Sequence, residues 1–257
     1  MSVRIMQHQG PAPRLDARPM AHRIGLVALA TDHTIEVDFA RILPPLGFGV
    51  YVNRIPYANP VTPQTLAAMV PDLAEGAALI LPGETLDAVV YGCTAASVVI
   101  GDATVRAAIQ RGKPRAAVVT PVSATLAGLR SIGARRISVL TPYSVETSTP
   151  MAALFQAEGF ALDRFTCLGM ADDRDMARIT LDEIVDLAKA ALAKGSEALF
   201  ISCTAVRAAG IIDRIEAATG VPVLSSNYAA AWNVLRLCND GGAGAPGHLM
   251  TLPMAAS

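Results

Sequence analysis

One short motif occurs twice and constrains this chain more than any other feature. Residues 86–91 and 198–201 are apolar runs of strand length, and each ends in a small residue, a cysteine and a threonine: Gly92-Cys93-Thr94 and Ser202-Cys203-Thr204. Both then continue into Ala-rich sequence of helical character. A strand, a tight turn and a helix start are predicted at each place. The turn sets its cysteine at the carboxyl end of a strand, where open α/β sheets hold their ligands, and at a helix N-terminus, which favours thiolate over thiol. Two such cysteines could face one small molecule from opposite sides.

The remaining sequence arranges itself around those turns. Residues 24–29 read as a first strand, followed by a helix with Thr31 or Asp32 as N-cap and with Glu36 and Asp38 in a first turn that suits the helix dipole. Residues 49–54 form a second strand, 62–75 a helix opening on Thr-Pro, 86–91 the third strand and 116–120 the fourth. The order then restarts. A helix over 123–129 leads to a strand over 136–141 that turns at Pro142-Tyr143-Ser144. A helix over 147–159, extended chain over 160–167, a short polar helix over 172–178, an amphipathic helix over 181–194 and the strand over 198–201 follow. Gly25 and Cys93 are 68 residues apart, Ser138 and Cys203 are 65 apart. A last strand over 221–224 and a helix over 227–238, carrying the only tryptophan, Trp232, complete the pattern. It predicts an α/β protein of two pseudo-symmetric lobes, each a mainly parallel sheet flanked by helices, with the active site in the cleft between them. Residues 1–22 are expected as a flexible N-terminal arm, 23–121 with 225–257 as the N-terminal lobe, and 122–224 as the C-terminal lobe.

Charge and cysteine usage exclude several functions. With 21 basic against 22 acidic residues and no Lys/Arg cluster, the chain lacks the electrostatic footprint for nucleic acid or an anionic membrane. The first 21 residues have no continuous apolar core, so they do not read as a secretory signal, and the most apolar window, 88–100, is broken by Gly92 and Thr94. A cytoplasmic protein is expected. The four cysteines lie far apart with no CxxC pair, and none of the four histidines is near one, so neither a disulfide framework nor a metal site is expected.

The stretches VVYGCTAASVVIG (89–101) and LFISCTAVRAAGIIDRIEAATGVPVLSSNYAAAWNVLRL (199–237) resemble the aspartate/glutamate racemase superfamily, most closely its maleate cis-trans isomerase and arylmalonate decarboxylase branch. The likeness runs from about residue 24 onward. It implies a two-lobed enzyme with no metal or organic cofactor, in which Cys93 and Cys203 fall on the family's two catalytic cysteines. In maleate isomerases one thiol is thought to add to the double bond while the other serves as acid; racemases use the pair as opposed bases; arylmalonate decarboxylases keep only the second. Thr94 and Thr204, with the amides of Ala95 and Ala205, fall where backbone N–H groups hold a carboxylate, and Tyr143 matches a substrate-contacting tyrosine.

Two positions depart from the maleate isomerase pattern, which has asparagine where Asp32 stands and again near Asp173. An aspartate aimed at a dianion would repel it, whereas racemases of the superfamily use a first-turn aspartate to receive the substrate ammonium group. The Thr31-Asp32-His33-Thr34 pattern also resembles that of EutA-type proteins of ectoine-utilisation pathways. The resemblance therefore implies a cofactor-independent isomerase of a small carboxylate, with two alternatives: a racemase-type or ectoine-pathway enzyme acting on a cationic nitrogen compound, or a non-catalytic ligand-binding or redox-responsive protein. Plainer roles stand beside these. Asp32 could simply cap a helix, Tyr143 could be core, Asn227 could serve a turn or touch substrate, and His33 is expected to face solvent. Trp232, Cys167 and Cys238 read as packing residues, and the Ala-rich helices would suit a homodimer.

Overall fold

The structure, a computed structural model, describes residues 3–255. Each half of the chain lays down a four-stranded, all-parallel sheet by the same route. In the first half β1 (His22–Leu29), α1 (Ile35–Ile42), β2 (Phe48–Ile55), α2 (Pro63–Ala67), α3 (Asp72–Ala78), β3 (Ala88–Tyr91), α4 (Thr94–Ile100), α5 (Asp102–Gly112) and β4 (Ala117–Val119) follow in order. The second half contains α6 (Pro121–Ile132), β5 (Arg136–Thr141), α7 (Val145–Ala157), β6 (Ala161–Cys167), α8 (Asp173–Met176) and α9 (Leu181–Ala191). It ends with β7 (Ala198–Ile201), α10 (Ile212–Thr219), β8 (Val223–Ser225) and α11 (Ser226–Leu237). The strand orders are β2-β1-β3-β4 and β6-β5-β7-β8, one plan used twice. The register carries the repeat down to single residues. Gly25 pairs with Val89 and Ser138 pairs with Leu199, so each cysteine sits the same distance beyond its strand's pairing point.

Strands β1, β3, β5 and β7 are buried along nearly their whole length, which is why they read as continuous apolar runs and not as alternating ones. Helix α11 lies between the halves: Ser226 to Trp232 are all buried, and the helix packs against α1, α6 and both β3 and β8. Trp232 fills this centre, its Nε1–H donating to the Leu252 carbonyl at 3.1 Å.

Two predicted segments differ from what forms, and two helices form that the sequence pattern does not predict. The helix expected over 62–75 is broken into α2 and α3 at Pro71, which has no N–H to donate and disfavours helical geometry at Val70. Helices α5 and α10 have no counterpart among the predicted elements. The helix expected straight after Cys203 does not form: residues 204–208 are turns, Ala209–Ile211 is one 3₁₀ turn, and α10 begins only at Ile212. Residues 3–21 carry no helix or strand and are largely exposed, with Arg18 reaching Thr85 Oγ1 at 3.2 Å; Met1 and Ser2 lie outside the described residues. Among the described residues, no helix is long and apolar enough to cross a membrane.

Candidate active site

The two Cys-Thr turns come off the carboxyl ends of β3 and β7, the inner strands of their sheets. At the first, the Gly92 amide donates to the Val27 carbonyl at 2.8 Å, and a Cβ there would stand 3.1 Å from that oxygen and 3.3 Å from the Ala28 Cα. Glycine lets the backbones close up. Cys93 then takes an extended conformation (φ −148°, ψ 116°) and caps α4. The second turn starts in the same way, with Ser202 N–H on the Leu140 carbonyl at 2.8 Å, and then diverges. Cys203 has φ +96°, a region a side-chain-bearing residue enters only at a cost in strain. An N-cap needs extended geometry, so this backbone explains the missing helix. The Ala205 amide instead turns back onto the Cys203 Sγ at 3.4 Å.

Polar contacts hold both turns to each other and to the rest of the fold. Ser226 Oγ accepts the Cys203 N–H at 3.0 Å and the Thr94 hydroxyl at 2.7 Å, so one buried oxygen ties the two turns together. The Thr204 hydroxyl donates to the Gly92 carbonyl at 3.2 Å, and the Thr34 hydroxyl to the Ala205 carbonyl at 2.8 Å. Thus the hydroxyls of Thr94 and Thr204 point into the protein, and what these two residues can offer a ligand is backbone N–H.

Cys93 and Cys203, each 5% exposed, line one small cavity together with Ala95, Tyr143, Asp173, Thr204 and Ala205. Tyr57, Val61 and Leu66, from the connection after β2 and from α2, close it from above. Among the described residues lining it there is no Lys, Arg or His. Asp173 is buried, with Asn59 Nδ2 donating to its Oδ1 at 2.7 Å and the Thr31 hydroxyl to its Oδ2. Asp32 accepts the amides of Thr34 (2.6 Å) and Ile35 (2.8 Å) on Oδ1, so it performs the capping role for α1 from two residues ahead of the formal N-cap, Thr34. His33 beside it is exposed.

Burial controls the protonation states. It pushes the Cys203 thiol up to about 12, against the lowering effect of hydrogen bonds from Tyr143 and the Ala205 amide, and it pushes Cys93 higher still against the Ala96 amide. The expectation that a helix N-terminus favours thiolate at both turns is therefore corrected: at Cys93 desolvation outweighs the lowering Ala96 amide, at Cys203 no helix follows, and the resting thiols hold protons. Tyr143 is raised well above the ordinary phenol range by burial and by the nearby cysteines, so it keeps its proton and donates to Cys203. Asp32 is raised as well, first by burial and, after its lowering hydrogen bonds, by the charge of Asp173.

Of the residues singled out from sequence, Cys93, Ala95, Tyr143, Asp173, Cys203, Thr204 and Ala205 meet at one cavity, and Asp32 and Thr94 stand directly behind it. Asn227 serves the turn: its side chain donates to the Thr204 carbonyl. Cys167 and Cys238 are half-buried elsewhere. Tyr57, Asn59 and Ser226 escaped the sequence reading. Tyr57 and Asn59 sit in an irregular connection with no periodic signal, while Ser226 was visible only as one of two serines at a strand end.

The chain is similar to several known proteins. The family model described as arylmalonate decarboxylase matches residues 60–250. The maleate isomerase of Nocardia farcinica is 28% identical over 225 residues, covering 83% of this chain and 89% of that protein. The arylmalonate decarboxylase of Bordetella bronchiseptica is 32% identical over 131 residues, half of this chain. Among solved structures, a cysteine variant of the Nocardia farcinica maleate cis-trans isomerase with a covalently bound succinylcysteine intermediate superposes with a TM-score of 0.81 at 24% identity, covering 90% of this chain and 98% of that one.

Proposed function

Because the chain belongs to the arylmalonate decarboxylase family, we propose that it is a cofactor-independent isomerase of a small carboxylate working through Cys93 and Cys203. One observation carries the reading: two buried thiols from equivalent turns of the two halves converge on a single cavity. The first relative's activity, maleate isomerisation, defines the reaction type.

The chemistry follows from the groups present. Both thiols rest protonated, so the reacting form is the one in which one of them has lost its proton to solvent while the other has kept its own. The thiolate adds to one alkene carbon, and the π electrons move onto the neighbouring carbon and its carboxylate as an enediolate. The other thiol gives its proton to that carbon, leaving a saturated thioether in which rotation about the former double bond is free. Return of the proton to the second sulfur and expulsion of the first restore the alkene as the other isomer. With no basic side chain at the cavity, carboxylate charge falls to backbone N–H groups of the two turns and to the phenol of Tyr57, whose hydroxyl has no partner among the described residues.

Asp32 supports a second reading. If its raised carboxyl is protonated at neutral pH, it donates a hydrogen bond to a substrate carboxylate as an asparagine would. If it is ionised, it and Asp173 suit a substrate with a cationic nitrogen, and the thiols then work as opposed bases at an α-carbon. Proton NMR in D2O with maleate, D- and L-aspartate, D- and L-glutamate and ectoine separates these. Fumarate from maleate, retained in Asp32→Asn, supports double-bond isomerisation. Loss of α-proton intensity, abolished in Asp32→Asn, supports the racemase type, and an inert protein would refute both.

A further inference from the structure

The turn that carries Cys203 is clamped from behind by residues that do not line the cavity. Asn227, on α11, uses both protons of its side-chain amide: one goes to the Thr204 carbonyl and one to Asp38 Oδ2 on α1, each at 2.8 Å. The Thr204 carbonyl can only accept, so the amide orientation is fixed, with nitrogen toward it. Asn227 Oδ1 is left buried with no partner among the described residues. Asp38 is 2% exposed and Asn227 1%. Two buried polar side chains from different helices thus meet at the Thr204–Ala205 peptide, one residue beyond Cys203, which is held at φ +96°. A backbone in that region relaxes unless its surroundings over-determine it.

We propose that Asp38 is a positioning residue for Cys203, acting through Asn227 to hold the Thr204 carbonyl and so keep the sulfur aimed into the cavity. The inference rests on the reading of Cys203 as one of the two working thiols. It explains why a carboxylate is kept at a site from which solvent is excluded: only an acceptor there can hold Asn227 in the orientation that the Thr204 carbonyl requires. Asp32, Arg41 and Arg207 are the charged groups that face Asp38; the two arginines favour its ionised form, while burial and Asp32 oppose it. When Asp38 carries a proton, its O–H can reach the unpartnered Asn227 Oδ1 and close an acid–amide ring, so the clamp survives protonation. Asparagine at position 38 makes the same ring with its own amide.

The test compares Asp38→Ala, Asn227→Ala and Asp38→Asn with the parent protein, all at pH 7.5. Without ligand, site-resolved alkylation by iodoacetamide should be about tenfold faster at Cys203 in both alanine variants and unchanged at Cys93, as local opening of one turn requires. Amide hydrogen exchange over residues 203–206 should speed up to match. Asp38→Asn should restore parent values in both measurements. With maleate as probe, kcat should fall by on the order of 100-fold in the alanine variants with KM within about threefold, the pattern of a displaced reacting group. Equal changes at Cys93 and Cys203, or none at Cys203, would overturn the proposal, as would failure of Asp38→Asn to rescue. If the parent protein leaves maleate untouched, the functional reading has failed on that substrate, and alkylation and exchange still decide whether Asp38 holds the turn. If Asp38→Ala does not fold, Asn227→Ala carries the test alone.

Discussion

Replacing Asp38 by asparagine should stabilise the fold above about pH 5. In the folded protein the Asp38 carboxyl is raised from 3.8 to about 6, first by burial. A group whose folded value is raised holds its proton longer in the folded state, so folding is favoured below the unfolded value and that advantage is lost as pH rises through the folded one. A shift of about two units at 1.36 kcal/mol each means that at pH 8 the ionised carboxylate costs about 3 kcal/mol relative to pH 4. Asparagine keeps the shape, accepts from Asn227 Nδ2 and offers an N–H to the unpartnered Asn227 Oδ1. After the amide's own desolvation is subtracted, the net gain at pH 8 is about 1–2 kcal/mol, a rise in Tm of roughly 2–6 °C at this chain length. Calorimetric melts of parent and Asp38→Asn from pH 4.5 to 8 measure it: the two Tm curves should lie close at the acid end, separate as pH rises from about 5 to 6, and run parallel above about pH 7. A constant separation at all pH values, or a variant less stable at pH 8, would refute the argument.

Other outcomes follow from the same contacts. Tyr143→Phe removes the hydroxyl that lowers the Cys203 thiol, so that thiol rises further and the alkaline limb of the Cys203 alkylation-rate profile moves to higher pH, with Tm nearly unchanged. Ser226→Ala strips the Cys203 amide and the Thr94 hydroxyl of their buried acceptor and should cost about 1–3 kcal/mol by denaturant titration, with a loss of turnover beyond the loss of folded protein. Cys238→Ser should leave turnover at the parent level in the same NMR assay, because that thiol lies outside the cavity.

The parts of the fold that were legible in the sequence are those where one side of the balance dominates. Strands β1, β3, β5 and β7 are buried on both faces, so their composition alone marks them, and the repeat in spacing between Gly25–Cys93 and Ser138–Cys203 reappears as a repeat in register. The two cysteines and Tyr143 came out of the turns that end those strands. The helix expected after Cys203 does not form: Ala-rich sequence has helical propensity, and nothing in it signals that Cys203 takes a positive φ, a conformation held by Ser226, Thr34 and Asn227, none of them near in sequence. The protonation of the thiols was misjudged for a related reason. A helix terminus can be read locally, whereas the burial that opposes thiolate depends on residues brought in from far along the chain, Tyr57, Val61 and Leu66 among the lining of the cavity.

The central claim is that Cys93 and Cys203 act together on one small carboxylate. The most direct measurement is proton NMR of maleate with the parent protein, Cys93→Ala and Cys203→Ala at equal concentration, with calorimetry to show that all three are folded. Fumarate is expected from the parent, with a loss on the order of 10³-fold or more in each variant at an unchanged fold. Fumarate formed at the parent rate by either folded variant would contradict it.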